Sequence, residues 1–128
     1  MSVLKRNRGE STVQFLENAI KLEVYSIKQC MKFPKRYTFV LSNRIVELAR
    51  ECLINVKAAN SIYAKSEHEK QIRRDYFLKA YTCVTNLYTQ LDIAKECGIE
   101  INEHVMKEWS GLIYEEERLL RGILKKEK

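Results

Sequence analysis

CMKFPKRYTFVLSNRI, residues 30–45, decides the fold: an apolar helix end runs into Phe33 and Pro34, a cationic turn follows, and a second apolar helix begins. Proline carries no amide proton and disfavours helical dihedrals in the residue before it, so the helix bearing Cys30 and Met31 should stop near Phe33. Lys35, Arg36 and Arg44 then sit at or just beyond the corner. Working outward, 128 residues with a single proline and four glycines leave little room for the turn signals an all-β chain needs. The expected class is all-α, and a chain of this length makes one domain with one core.

Helical periodicity fills in the rest. Val13, Leu16, Ile20, Val24, Ile27 and Met31 recur at steps of three and four over residues 12–32, with Phe15, Ala19 and Leu22 widening the stripe. Ser11 and Gln14 have the spacing of a capping box, and Gly9 breaks the chain before them, so residues 1–10 are expected to be a loose basic arm and residues 11–128 the helical domain. Helix two should start between residues 36 and 42 and run to about 60, with Leu41, Ile45, Leu48, Cys52, Val56 and Ala59 on one face. Val40, Val46, Leu53 and Ile54 lie off that face, which calls for cover on more than one side, by flanking helices or by a neighbouring subunit.

Helix three should open with a capping box, Ser66 to Glu69, carry Ile72, Tyr76, Ala80, Cys83, Leu87, Leu91 and Ala94, and end before Gly98. Asn102 should cap helix four, with Val105, Trp109, Leu112, Leu119 and Ile123 as its stripe and Lys125, Lys126 and Lys128 at its C-terminal end. Short connections make consecutive helices run antiparallel, so the expected architecture is an up-down-up-down four-helix bundle.

Most catalytic chemistry is excluded by spacing. Di-iron bundles need Glu-x-x-His, but the residues three before His68 and His104 are Lys65 and Ile101. A helical ribonuclease arrangement of arginine followed five residues on by histidine fails as well, since Arg50 leads to Asn55 and Arg73 to Leu78. Both histidines are expected exposed near helix starts. Cys30, Cys52, Cys83 and Cys97 lie too far apart for a zinc or redox motif and read as reduced, mostly core-filling thiols. Glu115, Glu116 and Glu117 fan over about 200 degrees of helix and cannot converge on one metal. Two should face solvent or pair with Arg118 and Arg121, whereas Glu116, in line with Leu112 and Leu119, is a candidate partner for a buried or intersubunit arginine. There is no glycine-rich phosphate loop and no partnered nucleophile, so no enzyme, cofactor or metal is expected.

The charge points to an anionic partner. The net charge is +6, made of +2 over residues 1–12, +1 over 13–33, +3 over 34–60 and zero thereafter. The candidate binding residues fall in two groups: Lys28, Lys32, Lys35, Arg36 and Arg44 around the first corner, and Arg73, Arg74 and Lys79 on the first turns of helix three. In an up-down bundle these groups lie at opposite ends. Such cations hold phosphates without reading bases, with Tyr37, Tyr63 and Tyr81 as candidate stacking residues. The opening MSVLKRNRGE is short and polar for a secretory signal, and no apolar run approaches the length of a membrane span. A cytoplasmic protein without membrane contact is the expectation.

The corner Phe33-Pro34-Lys35, the Leu41-x-x-x-Ile45 start of helix two, the polar loop before helix three and Trp109 early in helix four together resemble a bacterial family of small basic four-helix-bundle proteins. Its members include the accessory variability determinant (Avd) of diversity-generating retroelements and the protein encoded by the intervening sequence of large-subunit ribosomal RNA. The resemblance extends over nearly the whole chain. The wider family ends helix two in an Asn-Ile-Ala-Glu-Gly-like stretch, whereas NVKAANSI stands here at residues 55–62, which moves the match toward the retroelement branch. The resemblance implies a pentameric barrel of bundles. It implies, too, a non-catalytic accessory role in which the protein binds a reverse transcriptase and its template RNA, or the cDNA, to support mutagenic reverse transcription. The alternatives are a ribosome- or RNA-associated bundle without a retroelement, and a helical protein-interaction adaptor.

Overall fold

A computed structural model describes residues 10–126, with side chains from Gln14 onward. Four helices account for nearly all of it: α1 (Glu10–Cys30), α2 (Asn43–Ser61), α3 (Glu67–Glu96) and α4 (Glu103–Lys126), with no strand among the described residues. The arm expected at residues 1–10 lies outside the described residues except for Glu10, as do the side chains of Ser11 and Val13 and the whole of Lys128.

The corner follows from Pro34. After Cys30 the chain winds more tightly, with Lys32 N–H donating to the Gln29 carbonyl at 3.0 Å and Phe33 N–H to Cys30 at 3.1 Å. Pro34 then supplies no donor and sits at φ −56°, ψ 140°, which ends the helical path. The chain re-enters helix through a 3₁₀ turn, Lys35–Tyr37, and a π-helical turn, Thr38–Ser42, before α2 proper. Pro34 accepts from Tyr37 N–H at 3.0 Å, and the Tyr37 hydroxyl donates to the Cys97 carbonyl at 3.0 Å, tying the corner to the end of α3.

The other ends behave as their sequences require. Ser66 accepts from Glu69 N–H at 3.1 Å while the Glu69 carboxylate accepts from Ser66 N–H at 3.0 Å, a complete capping box. Asn102 accepts from His104 N–H at 2.7 Å and from Val105 N–H at 3.4 Å. Gly98, which follows α3, takes φ +97°, a left-handed conformation that glycine adopts without steric cost.

One core joins the four helices, with α1 packed on α2, α2 on α3, α3 on α4 and α4 on α1. Its largest fully buried members are Trp109, Phe15, Phe77, Leu22, Ile45 and Leu87. Phe15 meets Phe77 edge-on at 5.6 Å, and Tyr25 and Phe33 bracket Trp109 at 6.0 and 6.2 Å. Trp109 Nε1 donates to the buried Ser26 hydroxyl at 2.9 Å, which satisfies both polar groups in the interior.

The α1 face differs from expectation. The buried line is Phe15, Ala19, Leu22, Ser26 and Cys30, while Ile20, Val24 and Met31 are 50, 44 and 79% exposed. Both lines have helical spacing, and the second is the more apolar. The first wins because its small members, Ala19, Ser26 and Cys30, let α1 approach the bulk of Trp109 and Phe77. Of the expected helix-two core face, Leu41, Ile45, Cys52, Val56 and Ala59 are buried and Leu48 half-buried, while off that face Val46 and Leu53 are half-buried and Val40 and Ile54 exposed. The apolar excess of α2 is thus largely absorbed by its flanking helices, and the larger uncovered stripe is on α1.

Candidate nucleic-acid interface

From Val24 to Val46 the chain holds Lys28, Lys32, Lys35, Arg36 and Arg44 and no carboxylate. All five cations are exposed. They reach solvent because the helical phase carries Ser26 and Cys30 on α1, and Leu41 and Ile45 leading into α2, inward. Arg36 lies over the Tyr37 ring at 5.0 Å, which holds its guanidinium against the turn. Arg44 contacts Glu47 at 3.8 Å, with both side chains more than half exposed, a pair of little strength.

Two open clefts flank the corner. One, between α1 and the start of α2, is lined by Met31, Lys35, Val46 and Arg50 among others, and the second, toward the α3–α4 loop, by Lys32, Pro34, Glu100 and His104 among others. Glu100 therefore tempers the second cleft. Lys95, exposed in the last turn of α3, adds a cation near the same end that the sequence reading did not single out.

The second expected group has different surroundings. Arg73 is half-buried with its guanidinium 5.7 Å from the Phe77 ring centre, and Arg74 donates to the Leu124 carbonyl at 2.7 Å. That bond satisfies a carbonyl near the C-terminal end of α4 and draws Arg74 into a structural role. Lys79 is exposed, its ammonium 5.3 Å from the Tyr76 ring. The structure thus keeps the corner cations free of strong partners and commits Arg74 to the scaffold.

Among the expected stacking residues, Tyr37 and Tyr81 are half-buried against the core, and Tyr63 is 81% exposed in the α2–α3 loop with Lys65 over its ring at 5.4 Å. The most exposed aromatic at the corner, Phe39 at 87%, was missed, with Val40 beside it at 74%. The phase Tyr37–Leu41–Ile45, read at steps of four, was the available signal that Phe39 and Val40 point away from the core.

Other reactive groups are held out of use. Burial pushes the Cys30 thiol up to about 12 and the Cys52 thiol well above its ordinary range, so neither forms a thiolate near neutral pH. Cys83 is half-buried and Cys97 exposed. His68 and His104 are both exposed in first turns. Glu115 takes Arg118 in a two-pronged pair at 2.8 Å, which lowers its carboxyl below the usual range. Glu116 corrects the expectation of a buried arginine partner: it is fully buried and accepts from the Asn18 amide at 3.0 Å, its other oxygen without a partner among the described residues. Among the described residues no group of three His, Cys, Asp or Glu side chains could hold a metal ion, and no helix is long and apolar enough to cross a membrane.

Fold and site together define a basic chain whose described residues form four helices and no strand, with an exposed cationic corner. No protein-family model, no curated protein and no solved structure matches it.

Proposed function

We propose that this chain is a non-catalytic accessory protein of a diversity-generating retroelement, which binds the reverse transcriptase and its template RNA, or the cDNA, through the α1–α2 corner. The observation that carries the reading is the acid-free run from Val24 to Val46 with its five exposed cations. That corner supplies part of the family resemblance, alongside the polar loop before α3 and Trp109. Phosphate binding by such cations is independent of base sequence and falls with salt, which suits a protein that holds a nucleic acid for another enzyme to copy.

The proposed architecture is an antiparallel up-down-up-down bundle. In support, Asn18 of α1 reaches Leu112 and Glu116 of α4, whereas Tyr25 and Ser26, farther along α1, reach back to Val105 and Trp109. Five such bundles form the proposed ring, each turning the uncovered stripe of Ile20 and Val24 on α1, with Met31 just past its end, toward a neighbour. A ring repeats the corner, so modest contacts add through effective concentration. The protein works as a scaffold in the cytoplasm, without cofactor or metal.

Exchanging Lys35 and Arg36 together for glutamate tests the site. Filter binding of structured RNA and of the partner polymerase should weaken by at least tenfold at low salt with the helical circular dichroism unchanged. Unaltered affinity removes the corner from the function. A wild-type protein that binds neither RNA nor polymerase at low salt is instead an interaction adaptor.

A further inference from the structure

We propose that the α1–α2 corner is a stacking platform for unpaired nucleotides, with the Phe39 ring taking a base face and Lys35, Arg36 and Arg44 taking the neighbouring phosphates. The inference rests on the nucleic-acid reading above and narrows it to single strands. Its starting point is the turn geometry. Tyr37, Leu41 and Ile45 face inward at steps of four: Leu41 is 3% exposed, Ile45 is 0% exposed, and the Tyr37 hydroxyl is bonded to Cys97. The same geometry leaves Phe39 no inward position, and its ring stands 87% exposed on a turn fixed from both sides. The fold thus presents a large apolar face in solvent on that turn, with cations the only charged groups within seven residues of it along the chain.

The charges around the ring choose the occupant. Lys35 and Arg36 precede Phe39 in the adjoining turn and Arg44 follows it in the first turn of α2, all exposed. The nearest carboxylate along the chain is Glu47, whose contact with Arg44 is a long 3.8 Å. Two copies of this chain meeting through this patch would place like charges against one another at its rim. A polyanion that also offers an apolar flat face suits both parts, and only unpaired bases expose that face. A duplex stacks its bases internally and leaves Phe39 nothing to cover.

The test measures fluorescence anisotropy of a short labelled oligouridylate and of an RNA duplex of equal length, with wild-type protein, Phe39→Ala and Phe39→Trp, alongside light-scattering mass. Expected are a wild-type preference for the single strand and a loss of about fivefold to 100-fold on that ligand alone in Phe39→Ala. Phe39→Trp should restore binding, with indole quenching on addition of the oligonucleotide that exceeds any in the wild type. Phe39→Ala binding the single strand as well as wild type, or weakening on both ligands equally, overturns the platform while the nucleic-acid reading stands. A lower assembly mass in Phe39→Ala also overturns it and assigns the ring to a second copy. If wild type binds neither ligand, the nucleic-acid reading falls and takes the platform with it.

Discussion

Glu116 shows how one residue can set the response of the bundle to pH. Burial pushes its carboxyl from 4.5 up to about 8; the Asn18 bond opposes the rise and Glu115 adds to it. Asn18 faces it from α1, Cys52 is the titrating neighbour on α2, and Glu115 adjoins it on α4, so no cation among these groups stabilises the ionised form. The folded state therefore holds a proton that the unfolded chain releases above about pH 4.5, and stability falls as pH rises between 4.5 and about 8. The full shift corresponds to about 5 kcal/mol. Glu69 and Glu115, lowered by hydrogen bonds from Ser66 and Arg118, act in the opposite direction but at acid pH and from half-buried positions. Urea midpoints at pH 5 and pH 8.5 should drop clearly in wild type and stay nearly level in Glu116→Gln, whose amide keeps the acceptor for Asn18. An equal pH slope in both proteins would place the titrating group elsewhere. A carboxylate in the core was legible only as a glutamate in the helical phase of Leu112 and Leu119; that its partner is Asn18 was not, because that pairing joins residues 98 apart in the chain.

At the scale of the elements, ends were more legible than faces, since caps are local and faces are not. The Ser66–Glu69 box, the Asn102 cap and the Gly98 stop each depend on a few consecutive residues, and each forms as its sequence implies. Ser66→Ala should cost about 1 kcal/mol in thermal or urea unfolding. Gly98→Ala should cost a similar amount from backbone strain at φ +97°, because a Cβ there meets nothing within 4 Å. A neutral outcome for Gly98→Ala would mean that the α3–α4 connection relaxes into another turn. The α1 face depends on partners far away in sequence. Two interleaved stripes compete there, and hydrophobicity alone favours Leu16, Ile20, Val24 and Met31. Ser26 belongs to the core because Trp109 needs an acceptor for its indole N–H, a requirement no α1 residue announces. The same limit explains the candidate site. The cations were countable from the sequence, but which of them the scaffold consumes became visible only through contacts such as that of Arg74 with Leu124.

For the whole molecule, the decisive feature is what the four helices leave uncovered. Ile20 and Val24 on α1 and Ile54 on α2 are each between 44 and 50% exposed, and Met31 reaches 79%. The Glu23–Arg50 bond at 3.1 Å brings α1 and α2 together on this side. In the antiparallel arrangement proposed above, residues N-terminal to Glu23 on α1 would lie beside residues C-terminal to Arg50 on α2, which would bring Ile20 toward Ile54. A single domain gains nothing from keeping such a face in water, and the ring proposed above would bury it against another copy without involving the basic corner. The two surfaces are therefore separable by mutation. Ile20→Glu combined with Val24→Glu should leave circular dichroism and the urea midpoint close to wild type, since neither side chain belongs to the buried line of Phe15, Ala19, Leu22, Ser26 and Cys30. The same double variant should reduce the light-scattering mass to that of one chain and weaken RNA binding through loss of multivalency, with the salt dependence per corner unchanged. A variant that unfolds would return Ile20 and Val24 to the core. One that keeps the wild-type mass would show that copies of this chain meet elsewhere, or that the α1 stripe serves the polymerase.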